Sequence, residues 1–99
     1  MPKVNLSLQV MPNVEDNRLY EVVDKAIEVI KSSGVKYLVG PMETTMEGEL
    51  DELFAIAKKA ILACNKEGAR RIGAVIKVDY CENGVTIEEK IGKYTEKQS

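Results

Sequence analysis

From Lys3 to Met11 the chain reads KVNLSLQVM, with Val4, Leu6, Leu8 and Val10 alternating against Asn5, Ser7, Gln9 and Met11. A period of two is that of a strand with one apolar face. Pro12 and Asn13 stop it. Next, Leu19, Val22, Val23, Ala26, Ile27 and Ile30 fall three and four apart, the spacing of a helix that turns one stripe to a core. Asp16 or Asn17 is its expected cap and Gly34 its expected end. "VKYLV" (35–39) is a short strand broken by Gly40-Pro41. "ETTMEGE" (43–49) is a third, weaker in pattern, with Met46 its one large apolar residue.

Leu50, Leu53, Phe54, Ala57, Ala60, Ile61 and Cys64 mark a second amphipathic helix, which Gly68 terminates. "RRIGAVIKVDY" (70–80) alternates again and ends at an "ENG" turn. A capping box from Thr86 to Glu89 precedes an Ile87–Ile91–Tyr94 stripe, so a short third helix is predicted, weakened by Gly92. Residues 96–99 are expected to fray. The order β-α-β-β-α-β with a helical extension is the ferredoxin-like split βαβ arrangement, an α+β fold. It implies one domain over residues 1–95, with a four-stranded antiparallel sheet and two helices on one face. Strands one and three are expected at its centre, read as parallel to each other.

Composition narrows the chemistry. With four Tyr, one Phe and no Trp, the core must be aliphatic. A net charge of −2 gives no general attraction to nucleic acid or anionic membrane. No apolar run reaches the roughly 18 residues of a spanning helix and no signal-peptide pattern opens the chain, so a cytoplasmic location is expected. Histidine is absent, which removes the commonest general base and transition-metal ligand. Cys64 and Cys81 have neither disulfide-framework nor zinc-site spacing. No metal and no cofactor is expected.

If Val4, Leu6, Leu8 and Val10 face the helices, the other sheet face carries Asn5, Ser7, Gln9 and Met11 from strand one. Strand three adds Glu43, Thr45 and Glu47, with Thr44 and Met46 turned to the core. Strand four adds Val75, Lys77 and Asp79, and strand two either Tyr37 and Val39 or Lys36 and Leu38. A one-sided sheet often simply meets water. Here, beside the two glutamates, the polar groups of the central strands (Asn5, Ser7, Gln9, Thr45) are short and uncharged, which suits a face partly dehydrated by a ligand or partner.

The run "SSGVKYLVGPMETTMEGELDEL", with "LSLQVMP" and "IKVDY", resembles the small thiamine-binding protein family, once catalogued only as uncharacterised. The family pattern S-G-x-x-Y-x-x-x-P-x-x-T-x-x-E-G-x-x-D-E is matched at Ser33, Gly34, Tyr37, Pro41, Thr44, Glu47, Gly48, Asp51 and Glu52. The final helix, with Ile87, Lys90 and Tyr94, also looks like the family's C-terminal segment. The resemblance implies a ferredoxin-like fold that pairs through its sheets into dimers or tetramers. It also implies binding of thiamine, or its hydroxymethylpyrimidine half, without chemistry. Many family members carry glycine where Glu43 stands, so this chain adds a charge near the pocket mouth.

Thiamine joins a cationic thiazolium to an aminopyrimidine. A carboxylate would compensate the cation or bond the exocyclic amine, and Glu47 is the candidate. Ser7, Gln9, Thr44 and Thr45 are candidate hydrogen-bonding groups, with Tyr37 and Met11 packing on the rings. Each also has a structural explanation: Glu47 as a strand end before a helix, Tyr37 as core filler, Thr44 as a buried strand residue. The alternative function is a structural or regulatory homo-oligomer that uses the same face only for self-association. Acylphosphatases share the topology but need an arginine phosphate loop after strand one, where this chain has "MPNVEDNR". RNA-recognition modules stack bases on aromatics of strands one and three, which are missing here.

Overall fold

The computed structural model describes residues 2–98, with side chains through Tyr94. β1 (Val4–Pro12) leads through a 3-10 turn (Asp16–Arg18) into α1 (Leu19–Ser32). β2 (Lys36–Val39) and β3 (Thr44–Gly48) form a hairpin, followed by α2 (Leu50–Lys66), β4 (Ile72–Asp79) and α3 (Ile87–Gln98). The sheet order is β2-β3-β1-β4, and every neighbouring pair is antiparallel. This corrects one expectation: β1 and β3 are central but antiparallel. The α1 crossover brings β2 back parallel to β1, and the hairpin then reverses the chain before β3 inserts between them. The fold is α+β and ferredoxin-like.

Alternation decides the faces. Leu6 lies opposite Met46 and Val78, and Leu8 opposite Thr44 and Ile76, so these share the helix-covered side. Val4, Leu6, Leu8 and Met46 bury there against Val22, Ala26 and Ile30 of α1 and Leu53, Ala57, Ala60 and Cys64 of α2. The α1 stripe follows the three-and-four spacing, but in α2 the spacing is only partly right: Phe54 turns outward, 45% exposed, and Ile56 takes a core place instead. The core is aliphatic, as the scarcity of aromatics requires.

The helix ends show how local chemistry sets the boundaries. At the end of α2, Gly68 takes φ +111, Ala69 N–H donates to Cys64 O at 3.1 Å, and Gly68 N–H donates to Asn65 O at 3.0 Å. This paired closure satisfies carbonyls that a helix end otherwise leaves open. Arg18 adds a guanidinium there, donating to Glu67 O at 3.0 Å, where the helix dipole favours a cation. The expected Asp16 or Asn17 cap of α1 is not formed. The 3-10 turn closes instead through Arg18 N–H to Glu15 O at 2.8 Å, and α1 starts at Leu19. At the other end of the chain α3 extends to Gln98, and the end of the segment expected to fray, Ser99, lies outside the described residues.

Burial pushes the Cys64 thiol up from its ordinary value of 9.0, although a backbone hydrogen bond opposes the shift. Its thiol therefore stays protonated after an unfolded one would ionise, so its stabilising effect holds below about pH 9 and declines above it. A thiol reagent should titrate one cysteine, Cys81, in the native protein and two after denaturation; two fast native thiols would contradict the burial of Cys64. Leu53→Ala, which empties a fully buried site, should cost about 2–5 kcal/mol in chemical denaturation.

Candidate ligand-binding site on the sheet

The register arranges the face away from α1 and α2 in rows across the strands. One row runs Lys36–Glu47–Asn5–Asp79 and the next Leu38–Thr45–Ser7–Lys77. Further along, Gln9 faces Val75 and Met11 faces Gly73. Strand two thus contributes Lys36 and Leu38 here, settling the alternative left open by pattern.

The first row is not uncovered. All its members bind the segment that carries α3. Ile87 N–H donates to Glu47 Oε1 at 2.7 Å, and Asn5 Nδ2 donates to Val85 O at 3.4 Å. Lys90 Nζ donates to Asn5 Oδ1 at 2.8 Å and pairs with Asp79 Oδ2 at 2.6 Å, while Lys36 Nζ pairs with Glu88 Oε1 at 3.0 Å. Glu47 is only 9% exposed, so its carboxylate depends on that charge-assisted bond. A helix N-terminus suits it, because first-turn N–H groups lack helical partners and the dipole favours an anion. Thr86 completes the start of α3, accepting from Glu89 N–H at 3.1 Å as the capping-box pattern predicts. Val85 and Ile87 bury their side chains beneath this turn.

Beside this clamp lies a concavity of about 320 Å³, floored by Ser7 and Thr45 with Asn5 at one side. Two ion pairs stand over it: Lys90–Asp79, and Lys77–Glu43 at 3.0 Å. Its volume falls at the lower end of the roughly 300–1,000 Å³ of small-molecule sites. The charged walls balance, lysine against carboxylate on each side. Between them sit short hydroxyl and amide groups suited to fixing a small polar ligand.

The proposed site residues therefore divide. Ser7 and Thr45 meet in the concavity. Gln9 and Met11 continue along the same face of β1, with Met11 running over Gly73, where a Cβ would lie 3.4 Å from the Met11 Cε. Glu47 belongs to the adjoining row and engages α3. Tyr37 and Thr44 lie on the opposite side: Tyr37 packs against the core opposite Met46, and Thr44 is buried opposite Leu8. Strand parity separates them from Ser7 and Thr45. Asn5, Lys77 and Asp79 were legible as face residues from alternation, and Glu43 as a charge near the mouth. Lys90 was not placed at the site at all, since its position depends on a contact between residues 85 apart in sequence.

A larger groove of about 510 Å³ runs between α1 and α2 on the outer surface, lined by Lys25, Glu28, Lys59 and Lys66 over Val29 and Ile56. Its walls are mainly long charged side chains, with Ser32 and Ser33 at one end, and Ser33 Oγ already donates to Ile30 O of its own helix. Among the described residues no cluster of His, Cys, Asp and Glu could hold a metal ion. No described helix is long and apolar enough to cross a membrane.

Together these features define a class: a ferredoxin-like domain with two helices behind its sheet and a third clamped across one end of the front. The chain belongs to the thiamine-binding protein family, whose profile matches residues 6–95. The UPF0045 protein CPE1503 of Clostridium perfringens is 58% identical over 94 residues, covering 95% of this chain and 99% of its own. The UPF0045 protein YqgV of Bacillus subtilis is 35% identical over 71 residues, covering 70% of this chain and 68% of its own. A crystal structure from Thermotoga maritima, provisionally designated a thiamine biosynthesis/salvage protein, superimposes with a TM-score of 0.88 at 47% identity. That match covers 94% of this chain and 99% of the other. A DUF77 domain from Bacillus cereus gives the same TM-score at 49% identity, covering 94% of this chain and 90% of its own.

Replacing Glu47 by Ala should leave the Ile87 N–H without its partner and loosen the first turn of α3. Hydrogen exchange at Ile87 should accelerate and stability should fall by about 1.5–3 kcal/mol, the range for bonds to charged groups. Unaltered exchange at Ile87 would show that the carboxylate does not hold the helix.

Proposed function

We propose that the protein binds thiamine, or its hydroxymethylpyrimidine half, in the concavity on the front of the sheet and does not transform it. The observation that carries this is the lining itself: neutral Ser7, Thr45 and Asn5 set between the carboxylates of Glu43 and Asp79. Hydroxyl and amide groups match the donor and acceptors of an aminopyrimidine, and a flanking carboxylate complements a thiazolium. Glu47 supports the site from the neighbouring row by anchoring its α3 wall. Family membership gives this chemistry its context.

Binding without catalysis suits the same lining. Ser7 and Thr45 have no imidazole to activate them, because the chain contains no histidine. Thiamine is thus the cargo and no further cofactor is invoked. The intended setting is the cytoplasm, where the ligand would be stored, buffered or delivered.

Self-association as a homodimer or homotetramer is part of the proposal. β4 is an edge strand, and Val75, Ile76 and Val78 along it are 43%, 37% and 41% exposed. Ile76 and Val78 share the helix-side face but stay open because α2 packs mainly over β1. Edge strands with apolar residues on both faces favour pairing with another chain. The same observation supports the second function, an oligomer whose surfaces serve assembly alone.

Calorimetric titration with thiamine should give a saturable heat, accompanied by an upward shift in melting temperature. Ser7→Ala and Thr45→Val, which remove each hydroxyl without adding bulk, should each weaken binding about two- to tenfold. Absence of heat and of thermal shift from an intact oligomer would leave the assembly function in place of ligand binding.

A further inference from the structure

Lys90 brings an ammonium from α3 onto acceptors that face the concavity. Its Nζ is 2.8 Å from Asn5 Oδ1 and 2.6 Å from Asp79 Oδ2. Asn5 is 3% exposed, and its Nδ2 is tied to Val85 O, so its carbonyl oxygen is held in place. The acceptors a cationic or amino-bearing ligand would seek are therefore already filled by a cation of the protein itself.

We propose that Lys90 is a tethered competitor of the ligand, and that a cation entering the concavity displaces its side chain from Asn5 and Asp79. The proposal rests on the ligand-binding reading above and deepens it by assigning the site's selectivity. The Lys90–Asp79 pair is built to yield: its side chains are 41% and 53% exposed, and exposed ion pairs contribute little to stability. The α3 backbone need not move with the side chain. Glu47 holds Ile87 N–H and Thr86 holds Glu89 N–H independently of Lys90.

Displacement also sorts ligands by charge. An incoming thiazolium replaces the positive charge that Asp79 loses, whereas a neutral pyrimidine leaves that carboxylate without a cation. Wild-type protein should accordingly favour thiamine over its neutral hydroxymethylpyrimidine half. Removing Lys90 frees Asp79 for the ligand, and the cationic ligand gains most.

The test is calorimetry of wild type, Lys90→Met, Lys90→Gln and Lys36→Met with thiamine and with hydroxymethylpyrimidine. Both Lys90 variants should bind thiamine about three- to tenfold tighter than wild type, with a smaller change for the pyrimidine. Lys36→Met breaks the Lys36–Glu88 pair on α3 but leaves the concavity intact, so its thiamine affinity should stay within about twofold of wild type. Thiamine binding by a Lys90 variant but not by wild type would support the inference in its strongest form. If wild type binds thiamine and the Lys90 variants bind it equally or more weakly, competition is refuted while the binding function stands. Tightening in Lys36→Met as great as in the Lys90 variants would refute it too, by tracing the gain to a looser α3. Failure of every form to bind thiamine overturns both the inference and the function beneath it.

Discussion

One buried carboxylate organises the front of this sheet. Glu47 stands on a central strand and meets its ionic need at the N-terminus of α3, through Ile87 N–H. Without α3 the acid would lie on an open sheet with water as its partner. Without the acid, α3 would lose a first-turn acceptor and much of its reason to lie where it does. The bond turns a flat surface into one with a wall, and that wall makes the concavity.

The surrounding charges follow the same logic of mutual satisfaction. Asn5 bonds the α3 segment with both ends of its amide, and no buried side-chain nitrogen or oxygen among the described residues lacks a partner. Lys77–Glu43 and Lys90–Asp79 flank the floor as exposed pairs, which are weak and exchangeable. The structure thus combines a fixed element, anchored by a buried bond, with side chains that can be redirected at small cost. The site proposed above would draw on both, a fixed floor and a rim able to answer a ligand's charge.

Behind the sheet the architecture is simpler. Aliphatic stripes of α1 and α2 close over Leu6, Leu8 and Met46, and the α2 exit is shaped by Gly68 and Arg18. This side supplies rigidity. The front carries polar groups on the same strands because side chains alternate, so each strand serves the core and the site at once.

Much of this was legible in local pattern. The alternation of β1 and β4, the helix spacings and the Gly34 and Gly68 stops determine the elements and which residues share a face. Ser7, Thr45, Lys77 and Asp79 could be assigned to one side from periodicity alone. Glu47 could be assigned to that side but not to its partner. Thr44 and Tyr37, both carried by the motif, face the core by strand parity and so do not share the face of Ser7 and Thr45.

Tertiary structure decided the rest. The sequence by itself determined the strands, the helices and the two faces, since those depend on periodicity over a few residues. Where α3 would lie, that Glu47 would hold it and that Lys90 would reach Asn5 depend on long-range contacts between polar groups, for which no local spacing rule exists.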